Sequence, residues 1–138
     1  MTMQTPVTVE LKTSQLQDDK LEEFELHETG TLTQKNDNLY LRYVESKNQA
    51  QTTLKIKADE LMLTRRQKEL ELQLVLRVGE KTNAKYKTAY GTIFLTASCQ
   101  KYVLEKDGQA SGVLKVAYEL YSEDDLLGKY KLELQFKP

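Results

Sequence analysis

The chain has 138 residues, enough for one domain with one real core, and 20 Lys and Arg against 21 Asp and Glu leave a net charge of −1. That balance excludes a global electrostatic bias toward nucleic acid or acidic lipid. A single cysteine, Cys99, excludes an intramolecular disulfide, and a single histidine, His27, excludes most zinc sites, whose ligands are chiefly His and Cys.

The elements read in chain order as strands. "VTVELK" sets Val7, Val9 and Leu11 on one parity, and "EEFELHE" sets Phe24 and Leu26 opposite Glu23, Glu25 and His27. "NLYLRYVE" offers Leu39, Leu41 and Tyr43, "TLKIKA" offers Leu54 and Ile56, and "ELMLTRR" offers Leu61 and Leu63. In "ELELQLVLRV" Leu70, Leu72, Leu74, Leu76 and Val78 share one parity, which a helix would scatter around its circumference and a strand gathers on one face. "TIFLTASC" follows with Ile93, Leu95, Ala97 and Cys99, then "VLKVAYELY" with Leu114, Val116, Tyr118 and Leu120, and "KYKLELQFK" with Tyr130, Leu132, Leu134 and Phe136.

Short polar segments separate these runs: "KNDN", "SKNQ", "VGEK", "KDGQ" and "SEDDLLG". Residues 14–20 and 122–127 are the only stretches that suggest a single helical turn. Short links between one-faced strands imply sequential antiparallel pairing. The expected fold is therefore all-β: one domain over residues 1–138, a single up-and-down barrel of about eight to ten strands. Such an interior is either filled by side chains or holds one small ligand, and that alternative is the functional question.

No nucleophile elbow, glycine-rich phosphate loop or EF-hand-like loop occurs in the sequence, so no catalytic residue, metal or cofactor is expected. Cys99 lies on the apolar parity of its run and reads as a buried, inert thiol; His27 reads as a surface strand residue. The informative positions are polar residues on apolar parity. Glu45 continues Leu39-Leu41-Tyr43, and Arg65 continues Leu61-Leu63, so both charges face inward at one rim. A charge facing a core must be paired, and Arg with carboxylate satisfies both partners. Tyr43, Tyr86 and Tyr118 add hydroxyls. Two readings compete: a polar plug closing the barrel, or a site for a small, partly apolar and anionic ligand on Tyr43, Glu45, Arg65, Tyr86 and Tyr118. The plug is the plainer of the two.

The run "KTNAKYKTAYG" interleaves Lys81, Lys85 and Lys87 with Tyr86 and Tyr90, a pattern that can stack bases; the charge balance of the whole chain argues for a solvated strand face instead. Gly91 stands between polar-aromatic Tyr86, Thr88 and Tyr90 and apolar Ile93 and Leu95, with a one-residue slip in parity, so it is expected to mark a β-bulge.

"LYLRYVE" (39–45), "TTLKIKADELMLTRR" (52–66), "YKTAYGTIFLTAS" (86–98), "GVLKVAYEL" (112–120) and "KLELQF" (131–136), with "VTVELKTSQ" (7–15) and Gly30, resemble the YwiB-like family of small bacterial proteins of unknown function. The most specific element is Tyr86-x-Thr88-x-x-Gly91 before an alternating strand. Two positions depart from the family pattern: Arg66 stands where a glycine often follows the strand-ending arginine, and Ala89 where a proline often stands. The resemblance implies a lipocalin-like, calycin-type barrel and carries no activity or ligand with it. The opening "MTMQTPVTVE" lacks a secretory pattern and no apolar run reaches the ~20 residues of a membrane helix, so the expectation is a cytoplasmic, non-enzymatic binding protein with no membrane partner. The alternative is a structural or protein-interaction module with a filled barrel, a homodimer through an exposed edge or face being the candidate partner.

Overall fold

The computed structural model describes residues 2–138. Ten strands follow in order: β1 (Thr2–Gln17), β2 (Lys20–Lys35), β3 (Asn38–Val44), β4 (Gln51–Ile56), β5 (Glu60–Gln67), β6 (Leu70–Arg77), β7 (Lys81–Thr88), β8 (Gly91–Lys106), β9 (Gly112–Ser122) and β10 (Asp125–Lys137). Each pairs antiparallel with the next, and β10 returns to β1, closing the barrel. No described residue is helical.

Turn chemistry fixes the hairpins. Asn36 and Asp37 take φ of 51° and 67°, and Asp18 and Asp19 take 50° and 62°. Two left-handed residues in a two-residue loop match the twist of the flanking strands, and Asn and Asp tolerate that conformation best. The helical turn expected over 14–20 is thus a strand running to Gln17 and a tight hairpin, and residues 122–127 hold another hairpin at Glu123–Asp124. Consecutive aspartates favour the turn over a helix because their side chains bond nearby backbone.

Gly91 is not a bulge. It opens β8 opposite Thr88, with Ala89 and Tyr90 as the loop between them and φ of +140° at Gly91. The parity slip read across 84–99 is a chain reversal: Tyr86 lies directly opposite Ile93, so both face the same way. The Thr88 hydroxyl fastens the loop, accepting from Tyr90 N at 3.1 Å and donating to Gly91 O at 3.0 Å. The real bulges fall at Gln100, between Cys99 and Lys101, and at Leu127, between Leu126 and Gly128.

The inward parity forms cross-strand rows. Leu41, Leu54, Leu63, Leu74, Ala84 and Leu95 run across β3 to β8, and Leu26, Leu11, Leu134, Leu114 and Leu104 run across the facing strands. Leu41, Ile56, Leu61, Leu76, Leu114 and Leu134 are wholly buried. Burying each such side chain contributes about 1.5–3 kcal/mol relative to leaving it exposed. Side chains fill this part of the barrel. The lower end, carrying the β4–β5 loop, is closed by Tyr102, whose hydroxyl lies 2.6 Å from Lys57 O and 2.9 Å from Glu60 O.

Candidate functional site

The upper end differs. There the row Tyr43, Thr52, Arg65, Leu72, Tyr86 and Ile93 crosses β3 to β8 in direct opposition. Arg65 Nε donates to Glu45 Oε2 at 2.8 Å, with the glutamate side chain 14% exposed and the arginine 36%. The strand-ending charges picked out by parity therefore meet. Tyr43 is buried, Tyr86 half-buried, and Ile93 is 53% exposed although its side chain is on the inward parity. Phe24 on β2, also inward by parity, is 54% exposed. Inward residues that meet solvent define an open mouth.

One member of this cluster escaped the sequence reading. Glu28 shares the parity of Leu26, Gly30 and Leu32, and its Oε2 accepts from Ser46 N at 2.9 Å and Ser46 Oγ at 3.1 Å. The parity rule that picks out Glu45 and Arg65 would have found it had the second strand been carried past His27. Thr52 lies between Tyr43 and Arg65, 3% exposed, and its hydroxyl has no partner among the described residues.

Tyr118 belongs elsewhere. It lies on β9, stacked on Tyr130 with ring centroids 5.1 Å apart and planes 14° from parallel, and Gln17 Nε2 donates to Tyr130 Oη at 2.8 Å. Tyr118, four strands round the barrel from Arg65, thus has its aromatic partner on β10, and no hydrogen bond joins it to Glu45 or Arg65.

Above the row, the β5–β6 and β7–β8 turns enclose a groove of about 580 Å³, walled by Gln67, Leu70, Tyr86, Thr88 and Tyr90. Tyr90 at the turn tip is fully exposed. Gln67, Leu70, Thr88 and Gly91 form the row next to Arg65 and Tyr86. Arg65 and Tyr86 are two strands apart, about 10 Å at normal strand spacing.

Cys99 is buried, burial raises its thiol pKa, and its Sγ donates to Lys101 O at 3.4 Å. His27 is exposed, with Nδ1 3.7 Å from Glu10 and Nε2 3.8 Å from Glu25. No group of three or more metal-ligating side chains exists among the described residues. Lys85 of the basic-aromatic run lies with Nζ 5.7 Å from the Phe94 ring centre, covering an exposed aromatic.

Burial raises the Tyr43 phenol from 10.0 to about 12, and burial also raises Tyr102 and Tyr118. A phenol raised in the folded state contributes stability that is complete below its unfolded pKa and lost as pH climbs to the folded one. Urea unfolding should therefore be flat near neutrality and weaken between pH 10.0 and about 12. Tyr43→Phe should remove on the order of 2 kcal/mol of that alkaline loss. A wild-type alkaline slope kept in the variant would show that Tyr43 ionises freely in the fold.

A closed ten-stranded antiparallel meander with a filled lower barrel and a polar-aromatic mouth defines the class of protein. The chain belongs to the family described as a domain of unknown function, DUF1934, which it matches over residues 9–134. It is similar to the uncharacterized beta-barrel protein YwiB of Bacillus subtilis (strain 168), 27% identical over 127 residues that cover 91% of this chain and 88% of that protein. The crystal structure of ywiB protein from Bacillus subtilis has the same fold, with a TM-score of 0.83 and 23% identity, covering 97% of this chain and 92% of that one.

Proposed function

We infer that this is a cytoplasmic, non-enzymatic binding protein whose barrel mouth holds a small, partly apolar ligand. The observation that supports the reading most is the groove of about 580 Å³ walled by Leu70 and Tyr86, within the range of small-molecule sites and set at the mouth beside the two hairpin turns. In this reading Arg65, outside the groove's walls and one same-face step below Gln67 on β5, supplies the polar end. Its Nε is committed to Glu45, which fixes the plane of the guanidinium, while its terminal nitrogens have no hydrogen-bond partner among the described residues and remain donors for an anionic group. In this reading the plug and the ligand site are one device: Glu45 closes the rim and aims Arg65.

The alternative, an interaction module with a filled barrel, draws support from the packed lower core. The test uses anilinonaphthalene sulfonate, an apolar anion, as probe. Tyr86→Ala should weaken its binding about tenfold with little change in stability, because Tyr86 is only half-buried. Arg65→Met should cost about 1–2 kcal/mol of stability, by leaving Glu45 unpaired, and also weaken the probe. Probe binding untouched by both substitutions would end the ligand reading and leave the plug. Native mass spectrometry of gently purified protein should then show no bound small molecule.

A further inference from the structure

β2 has two halves. Residues 30–35 pair with β1 on one side and β3 on the other, whereas residues 20–29 pair with β1 alone. Ser46 in the β3–β4 loop holds Glu28, so the open edge is residues 20–27. Along an open edge every second residue presents unpaired backbone N–H and C=O to the outside.

Other open edges exist. The unpaired side of β1 near its start carries Pro6, which has no N–H to offer; the lower half of β8 begins at the bulge at Gln100; and residues 91–95 of β8, paired with β7 but not with β9, form a short edge of five residues. The edge of β2 has neither device: its register with β1 is unbroken from Lys20–Gln17 to Lys35–Thr2, and residues 20–27 contain no proline or glycine. It exposes an apolar side chain on each face, Leu21 at 61% and Phe24 at 54%.

Its one protection is an excess of negative charge along the strand itself, although Lys12, Lys101, Lys115 and Lys131 share the neighbouring concave surface with Glu23 and Glu25. "KLEEFELHE" carries Glu22, Glu23, Glu25 and Glu28 against Lys20. Glu25 is shared with Lys12 at 4.0 Å and His27 at 3.8 Å, while Glu22 and Glu23 make no ion pair among the described residues. A two-fold pairing of this edge with a second copy, centred on any residue from Glu22 to Glu25, sets at least one glutamate directly against another. Like charges in that position repel. The same charge attracts a strand of opposite sign.

We propose that the edge of β2 over residues 20–27 is a docking site for a basic, extended segment of another polypeptide, Lys or Arg alternating with apolar residues. The segment adds a strand beside β2; backbone hydrogen bonds supply affinity, the glutamates select its charge, and Phe24 and Leu21 anchor its apolar positions.

The test compares three capped peptides: one alternating lysine and valine, one alternating glutamate and valine, and the lysine–valine peptide with its backbone N-methylated throughout. At saturation the first should slow hydrogen exchange of the outward N–H groups of residues 20–27 by about tenfold or more. Its affinity should fall as salt rises from about 0.05 to 0.5 M. The other two should leave those amides unchanged, and Glu22→Lys with Glu23→Lys should reduce the preference for the basic peptide. The proposal is overturned if the lysine–valine peptide slows no β2 amide, or if the N-methylated peptide binds equally well, since that is attraction without strand addition. Slowing at residues 91–95 instead, or slowing at 20–27 on raising the protein concentration alone, overturns it as well, the latter by making a second copy the occupant.

Discussion

Phe136→Ala is expected to cost the fold about 3–5 kcal/mol, a large fraction of the 5–15 kcal/mol that such domains possess. Phe136 is 1% exposed and sits on β10 between Val9 of β1 and Gly112 of β9. Its ring occupies the space that a side chain at Gly112 would need: a Cβ there would lie 3.0 Å from the ring's Cζ and 3.0 Å from the Glu105 carbonyl. The two residues are therefore one packing unit, a large side chain over an absent one. Truncation leaves a void that the strands, each held on both sides by ladders, cannot close. The pair predicts non-additivity. Gly112→Ala alone meets both the ring and the backbone; on the Phe136→Ala background the ring contact is gone, so the second substitution costs less than in the wild type. Urea unfolding of the four proteins measures this. Strict additivity would mean that the ring and the glycine do not share the space.

How much of this was legible in the sequence follows from what period two encodes. Alternation reports which side of a strand faces the core, so Leu41, Leu54, Leu74, Leu114 and Leu134 were all identifiable as core, and continuing the parity to Glu45 and Arg65 was enough to bring that pair together. Alternation does not report where a strand stands along the barrel axis. Phe24 and Ile93 have core parity and still meet solvent, because β2 and β8 climb past the neighbours that would cover them. Parity likewise placed Tyr118 inside but could not say that Tyr130 would stack on it. At Gly91 a reversal and a bulge leave the same mark on a period-two pattern, an alternation out of phase by one residue. Only the structure, with Tyr90 fully exposed at the turn tip, separates the two. Tight hairpins at Asn36–Asp37 were readable because their chemistry is local, whereas the edge of β2 is a property of topology and has no local signature.

Gly30→Ala should destabilise by about 2–4 kcal/mol, through steric collision rather than through a left-handed φ. Gly30 lies within β2 opposite Tyr43, at the point where the strand begins to pair with β3 as well as β1. A Cβ there would stand 2.5 Å from the Arg42 carbonyl oxygen and 3.1 Å from the Tyr43 Cβ. The first obstacle is backbone and the second is a Cβ fixed directly to it, in a strand locked into its ladder, so relief requires moving β3 itself. Gly79 provides the contrast: its φ is +78° and a Cβ would meet nothing within 4 Å. Gly79→Ala pays only the conformational cost, about 1 kcal/mol. The consequence at Gly30 reaches the mouth, since β3 carries Tyr43 and leads directly into Glu45, whose grip on Arg65 at 2.8 Å depends on that strand's position. Gly30→Ala should therefore lower stability and also weaken anilinonaphthalene sulfonate binding, while Gly79→Ala at the opposite end leaves the probe unaffected. Equal losses from the two substitutions would mean that β3 yields without strain and that the close approach at Gly30 does not hold the mouth in place.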